Sequence, residues 1–164
     1  MTKLNLGGGK STRLGYTILD FYPHPTVDMV CDLREGIPFP DESVDEVFSH
    51  HFIDYLDFTE VQGLMAECYR VLKKGRIVSH TIPDLQSAAE VIAEHGVDGN
   101  IWMRLIFWGA MEGPNNTSIY KKSGFDHKLL RKYLEDAGFK DVRIIDNGPR
   151  GNIKNFDMTA VGVK

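Results

Sequence analysis

The chain has 164 residues, enough for one substantial core, so we expect residues 1–164 to form a single domain. Its 42% hydrophobic and 26% charged residues are typical of a soluble globular protein. The net charge of −4 argues against a nucleic-acid surface built on excess positive charge. Cys31 and Cys68, the two cysteines, lie too far apart to indicate a disulfide framework or a thiolate zinc site. With no export signal and no long apolar run, the sequence predicts a cytoplasmic protein without a membrane span.

The first apolar segment, Leu4-Asn5-Leu6, leads directly into three glycines, Gly7, Gly8 and Gly9. Glycine tolerates positive φ and leaves backbone N–H groups bare toward a polar ligand. A strand followed by this turn places the glycines at the carboxyl end of the strand, where open α/β sheets bind ligands. The segment therefore indicates a ligand-binding turn.

Several interpretations compete for this turn. A P-loop needs a glycine at position 4, which is Leu4, and a helix after Lys10-Ser11, where the sequence predicts another strand. A dinucleotide fingerprint fits Gly7 and Gly9, but its last glycine position is Thr12. A nucleoside ligand without phosphate needs neither a helix dipole nor a lysine. A plain glycine-rich turn is the remaining alternative.

The rest of the chain predicts a mostly parallel α/β sheet of the Rossmann-like type, with helices on both faces. Apolar runs predict strands over residues 16–19, 27–31, 44–49 and 76–82. A helix is expected after a capping box of Thr59 and Gln62, with Gly75 as its stop. Asp84 and Asp126 are expected to cap two further helices. Residues 139–145 and 156–163 are joined by a loop too short for a crossover helix, which predicts a C-terminal antiparallel hairpin.

Two acids follow the predicted strands at matching places: Asp20 after the second strand and Asp32 after the third. The carboxyl ends of parallel strands lie at one sheet edge. There Asp20 could accept bonds from ribose hydroxyls, and Asp32 from an exocyclic adenine amine, with Leu33 packing on the ring. Each acid alone is explained by a turn or a helix cap. Together, behind a glycine turn, they favour an adenosine site.

With these features the chain resembles the class I S-adenosylmethionine-dependent methyltransferases, especially small members with a shortened first crossover. The resemblance rests on Leu4 to Gly9, Asp20, Cys31-Asp32-Leu33, the run from Ile37 to Asp45, the turn from Glu67 to Gly75, and Leu134 to Phe139. It implies S-adenosylmethionine as the cofactor, contacted by Asn5, Gly7, Gly8, Gly9, Asp20, Asp32, Leu33, His50 and His51. Asn5 stands where the family commonly has an acid, and Tyr55 replaces a histidine.

A general base is needed only when the methyl acceptor must lose a proton. His51 is the first candidate base and His50 the second, since both follow the fourth strand and would lie near the sulfonium. Because neighbouring residues on a strand point to opposite faces, only one should face the pocket. A structural or surface role for both is the alternative. His80 is expected to be a hydrogen-bonded core residue. Because no histidine pair has a ligand spacing with supporting carboxylates, the sequence predicts no metal site.

The sequence therefore predicts methyl transfer to an unidentified acceptor, either a small molecule or a macromolecule. One alternative is a non-catalytic methyltransferase-like module that acts through a protein partner. Another is an NAD-dependent oxidoreductase, against which Thr12 counts. The aromatic segment between Trp102 and Trp108 could form a lid, a homodimer surface or part of the core.

Overall fold

The structure is a computed structural model that describes residues 1–96, 111–112, 118–147 and 157–164. Its strands are β1 Lys3–Leu6, β2 Thr17–Asp20, β3 Met29–Val30, β4 Val44–His50, β5 Leu72–Pro83, β6 Met111–Glu112, β7 Ser118–Ile119, β8 Lys140–Asp146 and β9 Asp157–Val163. Its helices are α1 Phe58–Val71, α2 Leu85–His95 and α3 His127–Asp136, and a short 3₁₀ turn spans Ile53–Tyr55. The segment between Trp102 and Trp108 and residues 148–156, between β8 and β9, lie outside the described residues.

Seven of these strands form one sheet in the order β3-β2-β1-β4-β5-β9-β8. The first five strands pair in parallel, whereas β9 pairs antiparallel with both β5 and β8. The chain starts at the centre, moves outward to β3 and then returns to the other side of β1. This reversal beside β1 is the topological switch point at which such sheets bind ligands. The predicted α/β class, with a parallel sheet and an antiparallel C-terminal pair, is confirmed.

Apolar periodicity builds the core against this sheet. Leu4 and Leu6 alternate with Asn5 along β1 and are fully buried. One stripe of α1 is also buried and consists of Val61, Leu64, Met65, Cys68 and Val71. Helix α1 packs on β5 and on α3, and α3 packs on β8 and β9. Each buried large apolar side chain contributes about 1.5–3 kcal/mol, so this layer holds the C-terminal strands on the parallel sheet.

The first crossover is short, as predicted: the chain passes from β1 to β2 through residues 7–16 without a helix. The backbone N–H groups of Gly7 and Gly8 both donate to the Leu19 carbonyl, which fixes the turn against β2. Further along, the Arg13 guanidinium lies 3.7 Å from the centre of the Phe48 ring on β4. A loop therefore lies over β4 in this crossover, where a helix would otherwise connect the strands.

The capping box predicted for Thr59 and Gln62 is wrong, because α1 begins two residues earlier. The Asp57 carboxylate accepts from the backbone N–H groups of Thr59 and Glu60, and the Glu60 carboxylate accepts from the Asp57 N–H. The same three-residue spacing fits both pairs. The structure uses the earlier pair, and α1 begins at Phe58, shortly after the 3₁₀ turn that ends at Tyr55.

Two other predicted boundaries also differ. Strand β3 contains only Met29–Val30, because the Asp28 carboxylate, in place of a strand carbonyl, accepts the Ile18 N–H at 2.8 Å. Gly75 does not end α1, which stops at Val71. It lies inside β5 at φ +71°, where the pairing of β5 with β4 is interrupted.

No helix in the described ranges is long and apolar enough to cross a membrane.

Candidate functional site

A cleft opens where the carboxyl ends of β1, β2, β3 and β4 meet. Five of the residues predicted to contact a cofactor line it: Gly7, Asp20, Asp32, Leu33 and His51. The rest of the lining includes Phe52, Tyr55 and Leu56 after β4, Ile119 in β7 and Lys122 after it. The parallel strand order, rather than proximity in sequence, assembles this lining.

Two glycines of the turn, Gly7 and Gly8, are packed too tightly to accept a side chain. Gly7 has φ +62°, and a Cβ there would lie 2.0 Å from Cδ2 of Phe52. A Cβ on Gly8 would lie 2.5 Å from Cγ2 of Ile18. Side chains on both sides therefore pack directly on the backbone of the turn. Glycine is therefore required at these two positions by packing within the protein.

Asp20 is oriented by two backbone donors. Its Oδ2 accepts the Gly9 N–H at 2.8 Å, and its Oδ1 accepts the Tyr22 N–H at 2.9 Å. Each carboxylate oxygen has about two lone-pair sites, so each retains the capacity to accept a further bond. The carboxylate is thus held in the cleft lining with acceptor capacity left on both oxygens.

Asp32 is held by Arg34, a residue that the sequence prediction missed. Arg34 Nε lies 2.8 and 3.1 Å from the two carboxylate oxygens, and its terminal Nη2 lies 2.6 Å from Oδ2. These bonds hold the pKa of the Asp32 carboxyl below its usual value, so Asp32 is an ionised acceptor at neutral pH. The Arg34 backbone N–H also donates to Oδ1. An arginine two residues after an aspartate at a strand end was the available signal.

Aromatic and apolar groups accompany these acids. Phe21 directly follows Asp20, is 50% exposed and lines the cleft beside the nearly buried Leu33. The Arg34 guanidinium lies 5.5 Å from the centre of the Phe21 ring. A ring and a leucine beside two carboxylates suit a flat heterocycle that carries polar edges. The sequence prediction treated Phe21 only as part of a break between strands.

His51 leaves the regular strand geometry. Strand β4 ends at His50, and His51 has φ +51°, so the alternation of faces expected for neighbouring strand residues does not hold. The two imidazole rings lie side by side, with their centres 4.2 Å apart. His51 Nε2 lies 3.3 Å from Oδ2 of Asp157 at the start of β9. The sequence prediction missed Asp157, which reaches His51 only through the pairing of β9 with β5.

The other four residues predicted to contact a cofactor, Asn5, Gly8, Gly9 and His50, do not line this cleft. Asn5, Gly8 and His50 line a second pocket together with Ser11, Arg13 and Phe48. Asn5 is only 2% exposed. Gly9 is in the lining of neither pocket, but its N–H donates to Asp20, which lines the cleft.

A buried ion pair joins the 3₁₀ turn after β4 to the segment after β7. Lys121 Nζ lies 2.6 Å from Oδ2 of Asp54, and the backbone N–H groups of Lys122 and Ser123 donate to the Asp54 carbonyl. Both charged side chains are at most 7% exposed, so removing either partner would leave a buried charge. Burial, followed by the Asp54 charge, raises the pKa of Tyr55 to about 12. The phenol of Tyr55 therefore stays protonated in the cleft lining.

His80 lies in the core, as expected, and does not line the cleft. Its Nδ1 is 2.7 Å from the Ser49 hydroxyl, and burial lowers its pKa to about 4. His80 is therefore neutral at physiological pH.

Comparisons with known proteins agree with this architecture. Residues 17–79, less than half of the chain, match a family model described as a methyltransferase domain. No curated protein matches the chain significantly in sequence. Among solved structures, a SAM-dependent methyltransferase from Archaeoglobus fulgidus is 16% identical, with a TM-score of 0.68, over 99% of this chain and 86% of that one.

Two further structures have the same fold. A complex of the Haloferax volcanii Trm112 methyltransferase activator with a methyltransferase matches with a TM-score of 0.63 and 16% identity, over 99% of this chain and 81% of that one. Haemonchus contortus phosphoethanolamine N-methyltransferase 2, solved with S-adenosyl-L-methionine, matches with a TM-score of 0.62 and 15% identity. The match covers 100% of this chain and 48% of that one. At sequence identities this low, the similarity to these structures shows the fold alone.

Proposed function

We propose that this chain, which has the fold and the sequence resemblance of the class I S-adenosylmethionine-dependent methyltransferases, binds S-adenosylmethionine in the cleft and transfers its methyl group to an acceptor. One observation carries the proposal: the glycine turn, Asp20 and Asp32 come together at the switch point of the sheet. The proposal describes a single-domain enzyme in the cytoplasm, as the sequence predicts. A homodimer is the assembly that the sequence analysis named.

The residues of the cleft fit this cofactor. The methionine moiety would lie against the backbone of Gly7, which lines the cleft. Asp20 would accept the two ribose hydroxyls. Asp32 would accept the exocyclic amine of adenine in exchange for one of its bonds from Arg34. Phe21 and Leu33 would contact the adenine ring. When bound, the cofactor supplies an electrophilic methyl group on a sulfonium, so the protein chiefly has to position the acceptor.

For an acceptor that must lose a proton, His51 is the first candidate base, because it lines the cleft. Asp157, 3.3 Å from His51 Nε2, would orient the imidazole. His50 is the second candidate: its ring lies beside that of His51, although it lines the second pocket. Tyr55 and Lys122 line the wall that an acceptor would contact.

A methyltransferase-like module that acts through a partner is the second candidate function. Tyr55 in place of the family's usual histidine favours it, as does the similarity in fold to a methyltransferase solved with its activator. A dinucleotide oxidoreductase has less support, since Thr12 occupies the last fingerprint position and no helix follows the turn.

We expect S-adenosylhomocysteine and S-adenosylmethionine to raise the melting temperature of the purified chain, and NAD to leave it unchanged. A ligand at about 100 times its Kd stabilises the folded state by about 2.7 kcal/mol, which is a shift of several degrees for a domain of this size. A shift with NAD alone would favour the oxidoreductase. No shift with any of the three would favour the partner-dependent module, and turnover with any acceptor would exclude that module.

Asp32→Ala should weaken S-adenosylhomocysteine binding by about 1–3 kcal/mol, because it removes an acceptor and leaves the adenine amine unpaired. Isothermal titration of the folded variant would measure the loss. Asp136→Ala is the matched control, since it removes an exposed carboxylate that pairs with Lys132 on α3. Equal affinity in the Asp32→Ala protein and this control would remove Asp32 from the site.

A further inference from the structure

We infer that His50, His51 and Asp157 form a binding site for a divalent transition-metal ion of the zinc class, at the end of β4 beside the cleft. Each residue offers one ligand atom, and these three atoms lie within 4.8 Å of one another. This site is inferred from its own donor geometry and does not depend on cofactor binding.

The distances require little rearrangement. Zinc–ligand bonds of about 2.0–2.2 Å place two ligands of one ion at most about 4.4 Å apart. The His51–Asp157 pair, at 3.3 Å, already satisfies this limit. The three ligand atoms lie within 4.8 Å of one another, so the ligand atom of the exposed His50 has to move by only a few tenths of an ångström to meet this limit. Two imidazole nitrogens and one carboxylate oxygen are donors suited to zinc, cobalt or nickel, whereas magnesium and calcium prefer oxygen ligands.

A strained backbone conformation at His51 brings the donors together. A regular strand would point neighbouring histidines to opposite faces. The φ of +51° at His51 brings the two rings to 4.2 Å instead, and the His51 N–H is held by the Thr81 carbonyl at 2.8 Å. Such a conformation in a residue other than glycine is strained, and strained residues are concentrated at functional sites. The third donor comes from β9, which pairs with the end of β5.

The site would leave coordination positions open. His50 is exposed and the His51 side chain is 34% exposed, so water or a ligand group could complete the coordination. One consequence rests on the proposed function: a bound ion occupies the imidazole that we propose as the base. Zinc would then inhibit methyl transfer to acceptors that lose a proton.

Titration of the untagged full-length chain with Co²⁺, followed by its ligand-field absorption, tests the site directly. We expect one ion to bind per chain, and Zn²⁺ to displace it. His50→Ala and Asp157→Asn should each weaken binding at least about tenfold. His24→Ala is the matched control, because His24 bonds to Thr26 in a different loop, and it should bind Co²⁺ like the unmodified chain.

Two results would overturn the site: no saturable Co²⁺ binding, or equal affinity in the Asp157→Asn and His24→Ala proteins. His50→Gln, a conservative change at an exposed position, repeats the test if the alanine variant is poorly folded. S-adenosylhomocysteine binding is measured on the same samples without metal. If the unmodified chain binds Co²⁺ but not S-adenosylhomocysteine, only the proposed function is rejected. If it binds S-adenosylhomocysteine but not Co²⁺, only the metal site is rejected.

Discussion

Gly7→Ala should weaken S-adenosylhomocysteine binding by at least tenfold and lower the melting temperature by several degrees. The new Cβ would lie 2.0 Å from Cδ2 and 2.2 Å from Cγ of Phe52, so the ring or the turn must move. Both line the cleft, and the Gly7 N–H also holds the turn to the Leu19 carbonyl. The φ of +62° adds a conformational penalty of about 1–3 kcal/mol for any other residue. Calorimetric titration and thermal melts would measure both effects.

Gly15→Ala is the matched control for this prediction. Gly15 has φ +80°, but a Cβ there would meet nothing within 4 Å. It therefore carries the backbone penalty without the clash, and its ligand affinity should stay unchanged. Adding Phe52→Ala to Gly7→Ala should recover part of the lost affinity, which a double-mutant cycle would separate from the effect of Phe52→Ala alone. Normal affinity in the Gly7→Ala protein would place the ligand away from this turn.

Acidification should destabilise the protein through His80. Its pKa is about 4 in the folded state, against about 6.5 in an unfolded chain, so as pH falls the unfolded state binds the proton first. The contribution of His80 is therefore fully present above pH 6.5 and is lost progressively between pH 6.5 and 4. A shift of this size corresponds to about 3 kcal/mol. Urea unfolding at pH 7 and pH 4.5 would measure most of it.

The comparison variant is the double substitution Ser49→Ala, His80→Leu. It removes the titrating group and also the buried hydroxyl that would lose its partner, because Ser49 and His80 bond to each other at 2.7 Å. Carboxylates elsewhere titrate in both proteins, so their effect cancels in the difference. The double variant should lose about 2–3 kcal/mol less between the two pH values. An equal loss in both proteins would show that His80 is not the group responsible.

Features that depend on near neighbours in the chain were predictable from sequence. The strand and glycine turn, the apolar stripe of α1, and the caps at Asp84 and Asp126 were predicted correctly. A cap bonds to N–H groups two or three residues away, and a stripe follows the helical repeat, so a short segment contains the information. Where two local patterns overlapped, as at Asp57 and Thr59, sequence alone chose the wrong one.

Contacts between distant segments were decided only by the tertiary structure. Asp157 lies beside His51, and Lys121 pairs with Asp54, because strand pairing and packing bring together segments far apart in the chain. The positive φ of His51, which places it next to His50, also depends on the Thr81 carbonyl of the neighbouring strand. Sequence patterns thus determined the sheet class and the cleft acids, since strand ends share one edge. The partners of those side chains depend on non-local pairing, which no local pattern encodes.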